Sequence, residues 1–420
     1  MRLVITSEFR FSLAPDGSVW TKVSYDYSFW QRYLTAFDSV RIAGRASPDP
    51  EIDGRYKLVT GPQVDFWKLP FYAGPGQFLR RREAVRGSLL SALKQDDALL
   101  CRVGSLLADE LLPTLWKTGR PYGLEVVGDP YEAMGPGAIR HPLRPLFRAW
   151  ATRSLKRQCS RAVAVAYVTR EALQRRYPCP AHSVDISDVG QLDLKTPPKV
   201  FTTSYSSISC DDTDFVTEAR HFGDRQSPRI LFVGSFAQMY KGPDVLIKAI
   251  KHLVPEIHSK VTMVGDGKHR LEMQDLTHRL GLSQDFRFLG QLHSGEAVRE
   301  QLDQATLFVM PSRTEGLPRA MIEAMTRALP CVGSRVGGIP ELLHEDDLVE
   351  AGDVMGLANK IKEVITNPNR LSEMSSRNLE RANDYRPGVL EKRRIQFYRF
   401  LRQTTESRLG MGGLAKGATV

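Results

Sequence analysis

Short runs of β-branched and aliphatic residues alternate along most of the chain with longer segments whose apolar residues recur every three or four positions. That alternation is the pattern of strands and crossover helices in parallel α/β sheets. The first half offers LVIT near Leu3, VRIAG near Val40, ALLCRV near Ala98, GLEVVG near Gly123 and AVAVAYV near Ala162. A more regular series follows: RILFVGS and helix DVLIKAIKHL, KVTMVGDG and helix KHRLEMQDLTHRL, FRFLG and helix GEAVREQL, then TLFVMPS and PCVGS. The expected fold is α/β: two facing Rossmann-like domains, residues 1–218 and 226–387, with an interdomain cleft, the polar stretch 204–224 as linker and 405–420 as a flexible tail. Pockets between domains are favoured ligand sites.

The stretch RTEGLPRAMIEAM, from Arg313, carries the clearest chemistry. Pro318 suits a first helical position, and Leu317, Ala320, Met321, Ala324, Met325 and Ala328 fall on one buried face. Glu323 lies off that stripe, and Glu315 precedes the helix. At about 1.5 Å rise per residue the two carboxylates stand on the order of 9–12 Å apart, too far to share one bond in the manner of retaining glycosidases. That separation suits two hydroxyl-bearing groups flanking a diphosphate, as in a nucleotide sugar.

Strand ends supply the anion-binding half of the argument. In an open α/β sheet, ligands sit beyond the carboxyl ends of strands. After ILFVG come Gly234, Ser235 and then Lys241, a cation placed for phosphate; after VTMV comes Gly265-Asp266-Gly267, a weak nucleotide-turn pattern. Backbone N–H groups at Gly316 and Leu317 precede a helix, which favours an anion. In the first domain the loop of residues 8–24, with Pro15, Asp16 and Gly17, and the turns after Val103 and Val127 are expected to meet substrate.

Composition narrows the class. With 420 residues the chain is long enough for two or three domains. Its five cysteines are scattered and form no Cys-x-x-Cys pair, so neither a disulfide framework nor a zinc site is expected. The amino terminus lacks a signal-peptide core, and no segment approaches the roughly twenty apolar residues of a membrane span. A cytoplasmic protein is expected.

Lys and Arg number 58 against 48 Asp and Glu, a net +10, and the excess is concentrated. Arg140, Arg144, Arg148, Arg153, Lys156, Arg157, Arg161, Arg170, Arg175 and Arg176 face only Glu171. Leu143, Leu146, Phe147, Trp150 and Leu155 share helical spacing there, so one side is expected to pack and Arg153, Arg157 and Arg161 to share another. A solvated helix face and an anionic membrane surface both fit; nucleic acid fits poorly, because no recognition module accompanies the charge.

Gly234 with Lys241, VGDG, FLG and above all EGLPRAMIEAM followed by PCVGSRVGGIPEL resemble the retaining glycosyltransferase 4 family of GT-B architecture, over roughly Arg229 to Leu343. The resemblance implies a nucleotide-sugar donor held by the second domain, a glycan or lipid-linked acceptor met by the first, no metal and no cofactor beyond the donor as co-substrate. It implies that a last helix, about 388–404, returns to the first domain. Carried over by position, Glu323 binds the ribose, Glu315 the donor-sugar hydroxyls and Lys241 the diphosphate, with Gly316 and Leu317 as backbone donors. Gly234, Ser235, Gly265, Gly267 and Gly17 complete the expected donor set, and Lys241, Glu315 and Asp129 the catalytic one.

Two positions depart from the family pattern. Ser235 stands where an Arg is common, and Gly128-Asp129 where a His is common; Asp129 either serves the reacting centre or caps a turn before Pro130. The acidic residues Glu341, Glu345, Asp346 and Asp347 read as a helix end and turn, not as metal ligands. The implied chemistry is front-face transfer with retention, needing no protein nucleophile. A nucleotide-sugar epimerase and a non-catalytic nucleotide-sugar-binding protein are the alternatives.

Overall fold

The computed structural model describes the chain except residues 24, 136–140, 180–182, 186–199, 209, 224–226, 293–294 and 417–420. Ten strands form the first sheet: β1 (Arg2–Leu13), β2 (Val19–Thr21), β3 (Ser39–Pro48), β4 (Lys57–Leu58), β5 (Val64–Leu69), β6 (Ala98–Val103), β7 (Gly123–Val126), β8 (Ala164–Tyr167), β9 (Ser183–Asp185) and β10 (Val200–Ser204). Eight of them run parallel in the order β5-β3-β1-β6-β7-β8-β10-β9. The second sheet is wholly parallel in the order β13-β12-β11-β14-β15-β16, built from β11 (Arg229–Val233), β12 (Lys260–Val264), β13 (Phe286–Gly290), β14 (Leu307–Met310), β15 (Cys331–Ser334) and β16 (Leu348–Val349). Strand order reverses direction between β1 and β6, and again between β11 and β14. Those reversals open crevices at the carboxyl ends of the strands, where this class of sheet binds ligands.

The first strand corrects the sequence reading. EFRFSL continues β1 instead of starting a loop, with a register shift between Ser7 and Arg10 against β3. Its polar-aromatic alternation is itself a strand period: Phe11 is buried, and Phe9 packs edge-on to it at 5.2 Å. Gly17 (φ 87°) turns the hairpin into antiparallel β2, where its N–H bonds Ala14 O at 3.0 Å.

The linker is less polar in structure than in sequence. Tyr205, Ile208, Phe215 and Phe222 are buried, and the Arg220 guanidinium donates to the carbonyls of Leu302 (3.1 Å), Ala305 (2.9 Å) and Arg327 (2.8 Å). Beyond the second sheet, the helix Pro387–Lys416 lies back on the first. Phe400 stacks on Phe201 at 5.2 Å, and a Cβ on Gly123 would come within 2.8 Å of Leu401, so β7 needs a glycine under this helix. The helix runs through most of the stretch expected as a tail, with Thr405 buried and Arg408 donating to Gly119 O at 2.7 Å.

The arginine-rich segment forms the helix Arg144–Cys159, and its apolar side does not pack as expected. Only Leu155, Gln158 and Cys159 are buried, whereas Leu146 is 66% and Trp150 51% exposed, with Leu143 and Phe147 alongside. Three arginines are instead engaged within the domain: Arg144 donates to Gly135 O at 2.9 Å, Arg148 lies 3.4 Å over the Tyr131 ring, and Arg161 lies 4.6 Å over Trp116. Arg153, Lys156 and Arg157 stay exposed, and Arg140 lies outside the described residues.

One carboxylate joins the two domains beside the cleft. Glu341, in the short helix Ile339–Leu342, accepts from the backbone N–H groups of Arg170 (2.5 Å), Glu171 (3.1 Å) and Ala172 (2.7 Å). These are orphan donors at the start of the helix Ala172–Arg176, and a carboxylate satisfies them with the favourable dipole sign. Glu341→Ala is expected to speed amide exchange at these three positions at least about tenfold while leaving the β11–β15 amides protected. Hydrogen exchange read by mass spectrometry or NMR checks this; unchanged rates at 170–172 would show that the contact does not hold the domains.

Candidate functional site

A cavity of about 700 Å³ lies between the domains. Its second-domain wall comes from the loops after β11 and β14, with Gly234, Ser235, Lys241, Glu315, Gly316 and Glu323. Its first-domain wall includes Tyr25, Phe29, Arg32, Lys57, Val127 and Ser206.

Lys241 closes the one-turn helix Met239–Lys241, and its ammonium pairs with Glu315 Oε1, which also accepts from Ser312 Oγ at 3.0 Å. The pairing is imposed by the chain on either side. Arg313 grips Asp244 with two hydrogen bonds of 2.9 and 2.8 Å, and its N–H bonds Tyr240 O at 2.7 Å, which ties the β14 loop to the Lys241 turn. Burial works to raise the Asp244 carboxyl, but the Arg313 hydrogen bonds and charge prevail and hold it below its ordinary value. From the other side the loop rests on Gly337 (φ 54°), where a Cβ would meet Glu315 O at 1.9 Å, and Gly338 N–H bonds Gly316 O at 2.6 Å.

The helix that follows spans Arg319–Thr326, with Pro318 at its cap instead of its first turn. Among the described residues no protein acceptor is bonded to the N–H of Gly316 or Leu317. Glu323 points from this helix into the cavity without an ion pair or side-chain hydrogen bond among those residues. Enclosure by the cavity wall pushes its carboxyl above the ordinary value, only partly opposed by Arg319. An enclosed carboxylate without a partner is costly, which marks it as a group placed for something other than stability.

Gly234, Ser235, Lys241, Glu315, Gly316, Leu317 and Glu323 thus meet in one cavity, and four expected residues do not line it. Gly265 and Gly267 serve loop packing: a Cβ on the first would sit 1.9 Å from Gly234 O, and on the second 2.1 Å from Ala237 N. Gly17 lies in the hairpin turn described above. Asp129 caps the turn Pro130–Ala133, accepts from the Tyr177 hydroxyl at 2.5 Å and pairs with Arg176, so its carboxylate is consumed by the first domain.

Sequence reasoning missed Arg319, Tyr240, Tyr25, Phe29, Arg32 and Lys57, all of which line the cavity. Arg319 had a cue. A cation in the first turn of a helix opposes the macrodipole, so its place there asks for an anionic neighbour.

The two carboxylates are expected to behave oppositely when perturbed. Lys241→Met strands the buried Glu315 and should cost about 3 kcal/mol, whereas Glu323→Gln removes an unpartnered charge and should gain about 1 kcal/mol at pH 8. The Glu323 carboxyl is raised on folding, so its contribution to stability is whole below the unfolded value and is lost as pH rises through the folded one. The gain from Gln should therefore shrink as pH falls. Thermal melts at pH 8 and pH 5 read both signs; a Glu323→Gln protein that melts lower at pH 8 would mean the carboxylate has a partner.

Residues 227–367 match the profile of the family described as Glycosyl transferases group 1. Protein CapJ of Staphylococcus aureus is 25% identical over 370 residues, 87% of this chain and 86% of that protein. N-acetyl-alpha-D-glucosaminyl L-malate synthase of Bacillus anthracis is 30% identical over 175 residues, 40% of this chain and 45% of its own. The structure of Anabaena HepE in complex with UDP and glucose superposes with a TM-score of 0.59 at 14% identity, covering 98% of this chain and 100% of that one, a likeness of fold. With two facing parallel sheets and the β14 loop and helix between them, the chain is similar to the group 1, GT4-like glycosyltransferases of GT-B architecture, most closely over residues 227–367.

Proposed function

We propose that this glycosyltransferase moves a sugar from a nucleoside diphosphate donor to a hydroxyl of a glycan or lipid-linked acceptor, with retention at the anomeric carbon and without a metal ion. The observation that carries this reading is the Lys241–Glu315 pair and the unpartnered Glu323 carboxylate facing one cavity. Glu323 accepts hydrogen bonds from the ribose, Glu315 from the donor sugar, and Lys241 with the Gly316 and Leu317 N–H groups takes the diphosphate. Arg319 supplies the cation that Ser235 does not. The bond from the anomeric carbon to the diphosphate oxygen breaks as the acceptor oxygen bonds on the same face, and that diphosphate takes the acceptor proton. Stabilising the departing charge commonly lowers the barrier of such reactions more than any other single effect. UDP sugars are the first donors to try, since HepE was solved with UDP. The epimerase and non-catalytic readings find no support among the relatives.

The acceptor side includes a membrane surface. Among the described residues no helix is long and apolar enough to cross a bilayer. The helix Arg144–Cys159 nevertheless presents Leu146, Phe147 and Trp150 to solvent beside Arg153, Lys156 and Arg157, an amphipathic edge suited to anionic headgroups. Arg144, Arg148 and Arg161 of the same basic segment are engaged within the domain and take no part in this edge.

Two outcomes test these proposals. Incubated with a panel of nucleotide sugars, the protein should consume one donor in excess chelator and give product of unchanged anomeric configuration by NMR. A divalent-ion requirement or an inverted product would overturn the mechanism. In sedimentation with anionic liposomes, changing Arg153, Lys156 and Arg157 to Gln should lower partitioning on the order of a hundredfold, from about 1 kcal/mol per charge. Equal partitioning of both proteins into anionic and neutral liposomes would leave the exposed helix as an ordinary solvated face.

A further inference from the structure

A second cavity, about 200 Å³, lies where the linker meets the start of the returning helix, with Arg32, Ile208, Cys210, Tyr385, Glu391 and Arg394 around it. Two guanidiniums dominate it. Arg394 donates to Ser206 O at 2.8 Å and lies 5.6 Å over the Tyr205 ring, yet its Nε is buried without a partner. Arg32 donates to Phe29 O at 2.7 Å and stacks 3.8 Å from the centre of that ring.

Among the described residues neither arginine is paired with a carboxylate. Glu391 stands exposed at the rim. The nearby buried carboxylate, Glu125, is held by Arg102 and by the hydroxyls of Tyr33, Tyr205 and Tyr398. Arg394 is accordingly easier to deprotonate than an ordinary arginine, first through burial and then through repulsion by Arg32, with Tyr398, Tyr205 and Glu125 opposing. A folded protein keeps two such charges together at a cost, and an oxyanion between them would relieve both.

Arg32 also lines the main cavity, on the first-domain wall across from Lys241, so the two cavities share this guanidinium on the side proposed for the acceptor. We propose that Arg32 and Arg394 form an oxyanion subsite for a phosphate or carboxylate carried by the acceptor, which makes the acceptor an anionic molecule. This rests on the assignment of the donor to the second domain. Guanidiniums suit the task because their planar donor forks match both groups.

Calorimetric titration with inorganic phosphate and with glucose 6-phosphate tests the subsite, in a Lys241→Ala background so that the donor's phosphate position does not contribute. Both probes should bind, and Arg32→Gln or Arg394→Gln should weaken each at least tenfold, with Arg394→Lys restoring part of the affinity and guarding against a folding defect. The sugar phosphate should bind at least tenfold more tightly than phosphate. Equal affinity of the two would point to a free anion as the occupant and overturn the acceptor assignment. Phosphate binding that vanishes with Lys241→Ala alone, or that survives both arginine changes, would overturn the subsite itself. Nucleotide-sugar binding by the otherwise native protein, measured alongside and unaffected by Arg394→Gln, separates these failures from a failure of the donor reading.

Discussion

The first domain is organised around one buried carboxylate. Glu125, in the middle of β7, receives the Arg102 guanidinium from β6, both oxygens accept from Tyr33 at 3.1 Å, and Oε1 also accepts from Tyr205 at 2.9 Å and Tyr398 at 3.3 Å. These partners come from an adjacent strand, the turn before β3, the linker and the returning helix. A buried ion pair is poor evidence of net stability by itself, but losing one partner typically costs about 3–5 kcal/mol because the other charge is left uncompensated. That asymmetry makes Glu125 a registration device: the linker and the carboxyl-terminal helix must both arrive in place for its lone pairs to be filled. Burial and the adjacent carboxylate together keep the Tyr33, Tyr205 and Tyr398 hydroxyls protonated, so they serve as donors.

The second domain uses a different device for a similar purpose. Arg313 and Asp244 clamp the loop after β14 to the turn that carries Lys241, while Gly337 lets the next loop close beneath Glu315. The cleft-facing pair is therefore fixed by contacts that do not themselves reach into the cavity. Such preorganisation matters for transfer chemistry, because groups already aimed at the developing charge need no rearrangement when the bond breaks. Glu341 then sets this assembly against the first domain through three backbone N–H groups.

How much of this was legible in sequence depends on whether a residue's role follows from its neighbours along the chain. The parallel sheets could be read because buried strands are continuous apolar runs, and the stretch around Glu315 and Glu323 could be read because a loop, a proline and an apolar stripe fall within a few residues. Glu125 could not. A lone Glu within GLEVVG reads as a solvent-facing strand position, and its partners are scattered from Tyr33 to Tyr398. Asp129 misled for the related reason that a polar residue after a strand serves catalysis or capping equally well, and only Tyr177 and Arg176 decide between them. The exposed side of Arg144–Cys159 was misjudged because helical spacing shows that apolar residues share a face, not whether anything covers it.

Each cavity holds a charged group that has no ion pair among the described residues, Glu323 in the one and Arg394 in the other. At the second-domain wall Glu323 faces the cavity with Arg319 as the nearest opposing charge; where the linker meets the returning helix, Arg394 stands with Arg32 and is ion-paired to no carboxylate among the described residues. Proteins rarely keep such groups buried without use, since replacing either by an apolar residue of like volume would ordinarily stabilise the fold. Glu125 is already bonded to Arg102 and three hydroxyls and reaches Arg394 only through its charge, so the same contacts that lock the returning helix in place leave the Arg394 Nε without a hydrogen-bond acceptor among the described residues. The architecture of the first domain and the electrostatic character of its cleft are in this respect one consequence of where a single carboxylate sits.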